Sequence, residues 1–147
     1  MTIYECGSCG HIEFDTLTEK CLVCHAAKDA FKENADAVKT PADPGSPTEA
    51  ERKHTPKIVV VKECGLIPEG TCTDVHVRVG DIEHPMQTEH FIRYIDYYID
   101  KTFISRVWLS PEVCHPAAAL HLNVSAGTLT AVENCNVHGT WMAETQI

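Results

Sequence analysis

The chain has no apolar run near the 18 or so residues that a membrane-spanning helix needs, and no charged-then-apolar leader follows Met1. Neither spanning nor secretion is indicated, so no membrane partner and a cytoplasmic location are expected. Basic runs are missing as well. The formal net charge is −9, with 4 basic and 9 acidic residues in 1–50 and 8 and 12 in 51–147. Nucleic acid and anionic surfaces are therefore excluded as natural partners. Residues 32–50, KENADAVKTPADPGSPTEA, have no aromatic side chain but three prolines and a glycine. Nothing there can offset the entropy of ordering a fold. The stretch reads as a flexible polar linker, partly extended by its prolines, with a short helix around 30–38 as an option.

What the chain does have is cysteine and histidine. At 147 residues it has room for one ordinary domain and a small appendage, and it carries eight cysteines and nine histidines. Four of the cysteines form two CxxC knuckles, Cys6/Cys9 and Cys21/Cys24, separated by eleven residues. That spacing can set four thiolates tetrahedrally around one iron or zinc ion. In a chain without a leader it reads as metal ligation rather than a disulfide framework. About thirty residues cannot bury much of a core, so the metal would supply much of the folding free energy of residues 1–31. The pattern Tyr4-x-Cys6-x-x-Cys9-Gly10 with the later CxxC resembles rubredoxin-type modules. Leu22 stands where those carry proline, which leaves a zinc ribbon open beside a redox-active iron.

From Glu51 the texture changes to short apolar runs bounded by turn residues. Residues 57–62 are β-branched, and 73–79 alternate, with Val75, Val77 and Val79 on one face. Residues 91–99 place Phe91, Ile95, Tyr97 and Ile99 on one side, and 103–109, 117–123 and 128–133 follow. Six or seven short strands without a convincing amphipathic helix predict a mainly β fold. The expected architecture is an immunoglobulin-like β-sandwich over residues 51–147, preceded by a metal-stabilised four-cysteine knuckle domain.

The remaining chemistry is scattered along this β region. Cys135 and His138 lie three residues apart, followed by Gly139, so a thiolate and an imidazole can share one metal from a tight turn. His84 and His90 flank a short break and can converge on one point. His54 precedes Pro56, which favours extended backbone nearby. His76 and His121 sit opposite their apolar neighbours and are read as outward-facing, and His115 as a decoy. Cys64, Cys72 and Cys114 are read as core thiols, with a loop disulfide between Cys64 and Cys72 as the alternative.

Three motifs in order carry a resemblance: Lys53-His54-x-Pro56, His84-Pro85-Met86-x-x-Glu89-His90-Phe91-Ile92 and Cys135-Asn136-Val137-His138-Gly139-Thr140-Trp141. They closely resemble the superoxide reductases, the desulfoferrodoxin and neelaredoxin proteins, over roughly residues 51–143. The resemblance implies an immunoglobulin-like sandwich and one mononuclear iron with His54, His84, His90 and His138 as equatorial ligands and Cys135 as axial sulfur. It implies one-electron reduction of superoxide to hydrogen peroxide, a small electron-donor protein such as a rubredoxin, and a homo-oligomer, dimer or tetramer. Lys53 takes the position of a lysine that draws the anionic substrate in and helps deliver a proton. Many relatives have a glutamate just before that lysine, which binds ferric iron. Here Arg52 stands there, with Glu51 one residue further away, and Arg52 is expected to reinforce the attraction for superoxide. The reading from a different class is a non-catalytic metal-binding or electron-carrier protein on the same scaffold.

Overall fold

The computed structural model describes residues Met1–Ile147. Ten strands and one short α-helix build it: β1 (Ile3–Cys6), β2 (Ile12–Phe14), β3 (Phe31–Glu33), α1 (Glu49–His54), β4 (Pro56–Val61), β5 (Thr73–Val79), β6 (Ile92–Ile99), β7 (Thr102–Trp108), β8 (Ala117–Leu122), β9 (Thr128–Cys135) and β10 (Gly139–Gln146). They form three antiparallel sheets, β2-β1-β3, β10-β9-β6-β7 and β4-β5-β8. The second and third face each other as a sandwich. Val75, Val77 and Val79 of β5 meet Ile92, Ile95 and Tyr97 of β6 and Leu129 and Ala131 of β9 in one core. Burial removes that apolar surface from water at about 25 cal/mol per Å², which is what holds the two sheets together.

The alternation expected for β5 is present, with its valines buried and His76 and Arg78 exposed. In β6 it is not followed throughout. The pairing of β6 with β9 shifts register between Ile92 and Tyr94, so Ile92 enters the core in place of Phe91. A bulge of this kind breaks the two-residue period and exchanges faces. The opposite face of β6 is buried too, and the N-terminal module covers it. Ile12 and Phe14 pack with Tyr98, Val132 and Met142, and the Tyr98 hydroxyl donates to the Ile12 carbonyl at 2.8 Å. His11 sits fully buried between Glu13 (2.9 Å) and Asp96 (3.6 Å), and Asp96 accepts two bonds from Arg106 at 2.6 and 2.8 Å. Burial alone would lower the His11 pKa, but the two carboxylates more than offset it and hold it above the ordinary histidine value.

The stretch read as a flexible linker therefore does not run free. β3 extends the first sheet to Glu33, with Phe31 opposite Cys6, and the one helical turn nearby, a 3-10 turn over Lys28–Ala30, ends before it, so no helix forms over 31–38. Ala37 and Val38 pack against the Phe14–Tyr98 cluster. Lys39 pairs along β10, donating its amide to Thr140 O and accepting from the Met142 amide. The chain then enters α1 through a capping box: Thr48 Oγ1 accepts from the Glu51 amide and Glu51 accepts from the Thr48 amide. His54 is the last residue of this helix rather than an extended residue. The extended backbone demanded by Pro56 falls on Thr55. α1 rests directly on Gly80, where a Cβ would lie 2.5 Å from the Arg52 carbonyl oxygen and 2.7 Å from that of Thr55. Only glycine permits that approach.

Candidate metal centre

Three chain segments bring histidines to one end of the sandwich. α1 delivers His54. The turn between β5 and β6 carries His84 and His90, closed by paired Gln87 and His90 backbone bonds of 3.0 Å each. The β9–β10 hairpin supplies Cys135 and His138, where Gly139 at φ +80° makes the turn and pairs with Cys135. Asn136 ties the last two segments together. It accepts from the Phe91 amide at 2.9 Å and donates to the Glu89 carbonyl at 3.1 Å.

The four imidazoles form a closed ring. Neighbouring centroids are 4.7 Å apart for His54–His84, 4.6 Å for His84–His90, 5.0 Å for His90–His138 and 4.9 Å for His138–His54, each pair edge-to-face. The donor atoms of His54, His90, His138 and Cys135 all lie within 4.8 Å of one another, and His84 Nε2 is 3.2 Å from His54 Nε2. The outer nitrogens of two rings are already engaged: His54 Nδ1 with the Ala50 carbonyl at 2.7 Å and His84 Nδ1 with that of Pro85 at 2.8 Å. Such bonds set the tautomer and aim Nε2 inward. His90 Nε2 is buried without a hydrogen-bond partner. A donor left unsatisfied beside three other inward-facing imidazoles and a thiol fits a transition-metal ion. Burial pushes the His84 pKa down to about 4 and also lowers His54 and His90, so these rings are neutral, ligand-ready bases at neutral pH.

Cys135 is 2% exposed and its pKa is raised by burial, partly countered by the His138 and Val137 amides directed at its sulfur, the former at 3.4 Å. The thiol lies beneath the ring, on the core side, because it belongs to the Val75–Leu129 cluster and not to the cleft above. That cleft, of roughly 720 Å³, is lined by His54, His84, His90, His138, Lys53 and Lys39, among others. Lys53 reaches Glu49 at 3.5 Å, one helical turn away. Arg52 does not face the cleft: it is paired with Asp81 at 2.9 and 3.2 Å, so its expected role toward superoxide finds no support in its position. Glu51 is likewise occupied, accepting from the Thr48 and Ala42 amides. His115 points to solvent and pairs with Glu83, outside the ring, and His76 is exposed.

Lys39 carries no distinguishing signal in the sequence. Its Nζ donates to the His138 carbonyl at 3.0 Å and lies 5.6 Å from the Trp141 ring centroid. Trp141 in turn stacks on His54 at 5.3 Å and donates Nε1–H to the same His138 carbonyl at 3.2 Å. No local pattern could have singled out Lys39, because only the docking of the 37–39 backbone against β10 puts it there. The helix under His54 did have a signal, the Thr48-Glu49-Ala50-Glu51 capping box.

The second cluster sits in the N-terminal module. Cys6 and Cys24 sulfurs are 3.7 Å apart and those of Cys9 and Cys21 3.6 Å, and all four lie within 4.8 Å of one another. A tetrahedral ion with metal–sulfur bonds of about 2.3 Å needs sulfurs about 3.8 Å apart. Cys24, the exposed member, has its thiol pKa lowered to about 7, chiefly by the Ala26 amide, whereas burial raises those of Cys9 and Cys21.

The family model for desulfoferrodoxin matches residues 46–144. A desulfoferrodoxin homologue from Archaeoglobus fulgidus is 31% identical over 97% of this chain and 96% of its own. A superoxide reductase from Pyrococcus furiosus is 31% identical over 63% of this chain and 86% of its own. Among solved structures, the superoxide reductase (neelaredoxin) from Ignicoccus hospitalis superposes with a TM-score of 0.62 at 27% identity, covering 79% of this chain and 98% of that one. No helix is long and apolar enough to cross a membrane. With the matched region spanning α1, every histidine of the ring and the Cys135 hairpin, the chain belongs to the desulfoferrodoxin family.

Proposed function

We propose that the protein is a superoxide reductase, an oxidoreductase that takes superoxide, one electron and two protons to hydrogen peroxide without evolving dioxygen. The observation that carries this reading is the closed ring of four histidines over one buried cysteine, in a chain of this family. His54, His84, His90, His138 and Cys135 would hold iron, and iron(II) so held supplies the single electron. Cys6, Cys9, Cys21 and Cys24 would hold a second ion, iron or zinc.

The remaining residues act on substrate and protons. The protein carries net charge −9, so attraction of an anion has to be local. Lys53 and Lys39, both lining the cleft, provide it. Lys53 is 40% exposed at its side chain and free to move between Glu49 and an anion in the cleft, which also suits it to relay a proton through water. Trp141 closes the floor beside His54 and keeps water from the ligand bonds. Each turnover consumes one electron, so a small donor protein such as a rubredoxin completes the cycle.

The test is stoichiometry. Anaerobically purified, reduced protein mixed with a limiting pulse of superoxide should yield one hydrogen peroxide per superoxide and no dioxygen. Half an equivalent of peroxide with dioxygen release would make it a dismutase, and no superoxide loss would leave an electron carrier. Lys53→Ala should slow superoxide consumption, more so at low salt, because screening already weakens steering at high salt.

A further inference from the structure

A third cluster of ligand-type side chains lies on the outer face of the β4-β5-β8 sheet, away from both centres. Cys72 and Asp74 are two residues apart and so share a face of β5 and its approach. His121 on β8 is directly opposite Asp74 in the register. The β4–β5 connection then brings Cys64 over the same spot. His121 Nδ1 is 2.8 Å from Asp74 Oδ1, 3.1 Å from Cys64 Sγ and 3.7 Å from Cys72 Sγ, while Cys72 Sγ is 3.4 Å from Asp74 Oδ1. All four donor atoms fall within 4.8 Å of one another.

We infer that Cys64, Cys72, Asp74 and His121 form a binding site for one thiophilic divalent cation, zinc in the first instance. Zinc bonds of about 2.0–2.3 Å to oxygen, nitrogen and sulfur place tetrahedral neighbours about 3.3–3.8 Å apart. The distances above approach that set, with two pairs needing to open, His121–Asp74 from 2.8 Å and His121–Cys64 from 3.1 Å, each contact replaced by bonds to the ion. Two sulfurs, an imidazole and a carboxylate are a complete donor set for a closed, four-coordinate zinc.

An independent feature of the backbone points the same way. At Cys64 the amides of Leu66 and Ile67, two and three residues on, are directed toward the sulfur and favour its thiolate. The same arrangement recurs at Cys21, with Val23 and Cys24, and at Cys135, with Val137 and His138. Each of those cysteines belongs to one of the two centres already described. Amides aimed at sulfur stabilise a thiolate, which is the form a metal binds. The Cys64 turn therefore has the build of a metal knuckle, and a pair of core thiols would have no use for it. Asp74 lies near the start of β5 and Gly80 just past its end, about 20 Å away at about 3.3 Å per residue, so the ion would clamp the 62–72 connection without touching the histidine ring.

The experiment uses the full chain, reduced and anaerobic, with its two other centres already filled as judged by metal analysis. Zn²⁺ is titrated by calorimetry, and Co²⁺ in parallel for its thiolate charge-transfer and tetrahedral d–d absorption. One additional equivalent should bind, with those cobalt bands. Cys64→Ser and His121→Ala should each weaken it about 100-fold or more. Thermal melting of each variant with the added ion chelated should match the parent, which separates lost ligation from lost folding. Superoxide consumption should be unchanged in both variants. No additional equivalent, or an equivalent whose affinity survives Cys64→Ser, overturns the site. So does rapid Cys64–Cys72 disulfide formation that added zinc does not retard, because ligated thiolates are held from oxidation.

Discussion

The two metal centres are built in opposite ways. The four cysteines of the N-terminal module stand on short turns around a core of Cys6, Cys21 and Phe31, so the ligands are themselves most of the buried material. The histidine ring sits on the rim of a sandwich whose core includes nine buried residues, only one of which, Cys135, is a ligand. An ion would organise the chain in the first case, whereas the chain would organise the ion in the second. Both centres aim backbone amides at a sulfur, Cys21 in the module and Cys135 in the sandwich, but only the sandwich also orients imidazole ligands, through the Ala50 and Pro85 carbonyls.

Metal removal should break that comparison most visibly. Stripping both centres with a chelator should remove amide-exchange protection from β1, β2 and the Cys21–Cys24 turn, because structural thiolate sites contribute on the order of 10 kcal/mol to small modules. Strands β5, β6 and β9 should keep theirs. Loss of protection in both regions at the same chelator concentration would mean that the sandwich depends on its ion as well.

Acid should separate the centres next. Histidine protonates at an ordinary pKa of 6.5 in the unfolded chain but at about 4 for His84 in the folded one, with His54 and His90 shifted in the same direction. A depressed folded pKa contributes stability that is present above 6.5 and lost as pH falls toward 4. The melting temperature of the metal-stripped sandwich should therefore fall across that window. A profile flat from pH 7 to 4 would show that the rings are not buried as described. His11 works in the other direction: its raised pKa gives stability that is complete below 6.5 and declines as pH rises through the folded value.

The smallest expected effect concerns the joint between the regions. Tyr98→Phe removes only the bond to the Ile12 carbonyl and should cost about 1 kcal/mol. Its sharper signature is faster exchange in β2 with β9 unaffected. Equal loosening of β2 and β9 would contradict docking of the module through this face.

Much of this was legible in the chain itself. The two CxxC knuckles, the His84–His90 break and the Cys135–His138 turn are local patterns, and each is found at a centre. The strand alternation of 73–79 came through intact because β5 is the middle strand of a sheet with one face on the core and the other outward. What could not be read were effects of tertiary contact. Phe91 lost its place to Ile92 through a bulge that only pairing with β9 reveals. Residues 37–39 looked disordered by composition, yet β10, itself too weakly alternating to be noticed, gives their backbone hydrogen-bond partners. Asp96 and Tyr98 gave no hint that a second module would bury their face of the sheet. The alternation of β8 turns His121 outward, as its sequence implies, but its three ligand-type neighbours arise from cross-strand register and a loop, neither visible locally.

The central claim is that Cys135 and the four histidines hold one iron that reduces superoxide. It is tested most directly by the visible spectrum of the oxidised, iron-loaded protein beside that of Cys135→Ser, with superoxide consumption followed in the same samples. The account predicts a thiolate-to-ferric charge-transfer band in the parent that disappears in the variant, together with the loss of peroxide formation. A band and an activity that both survive Cys135→Ser would contradict it.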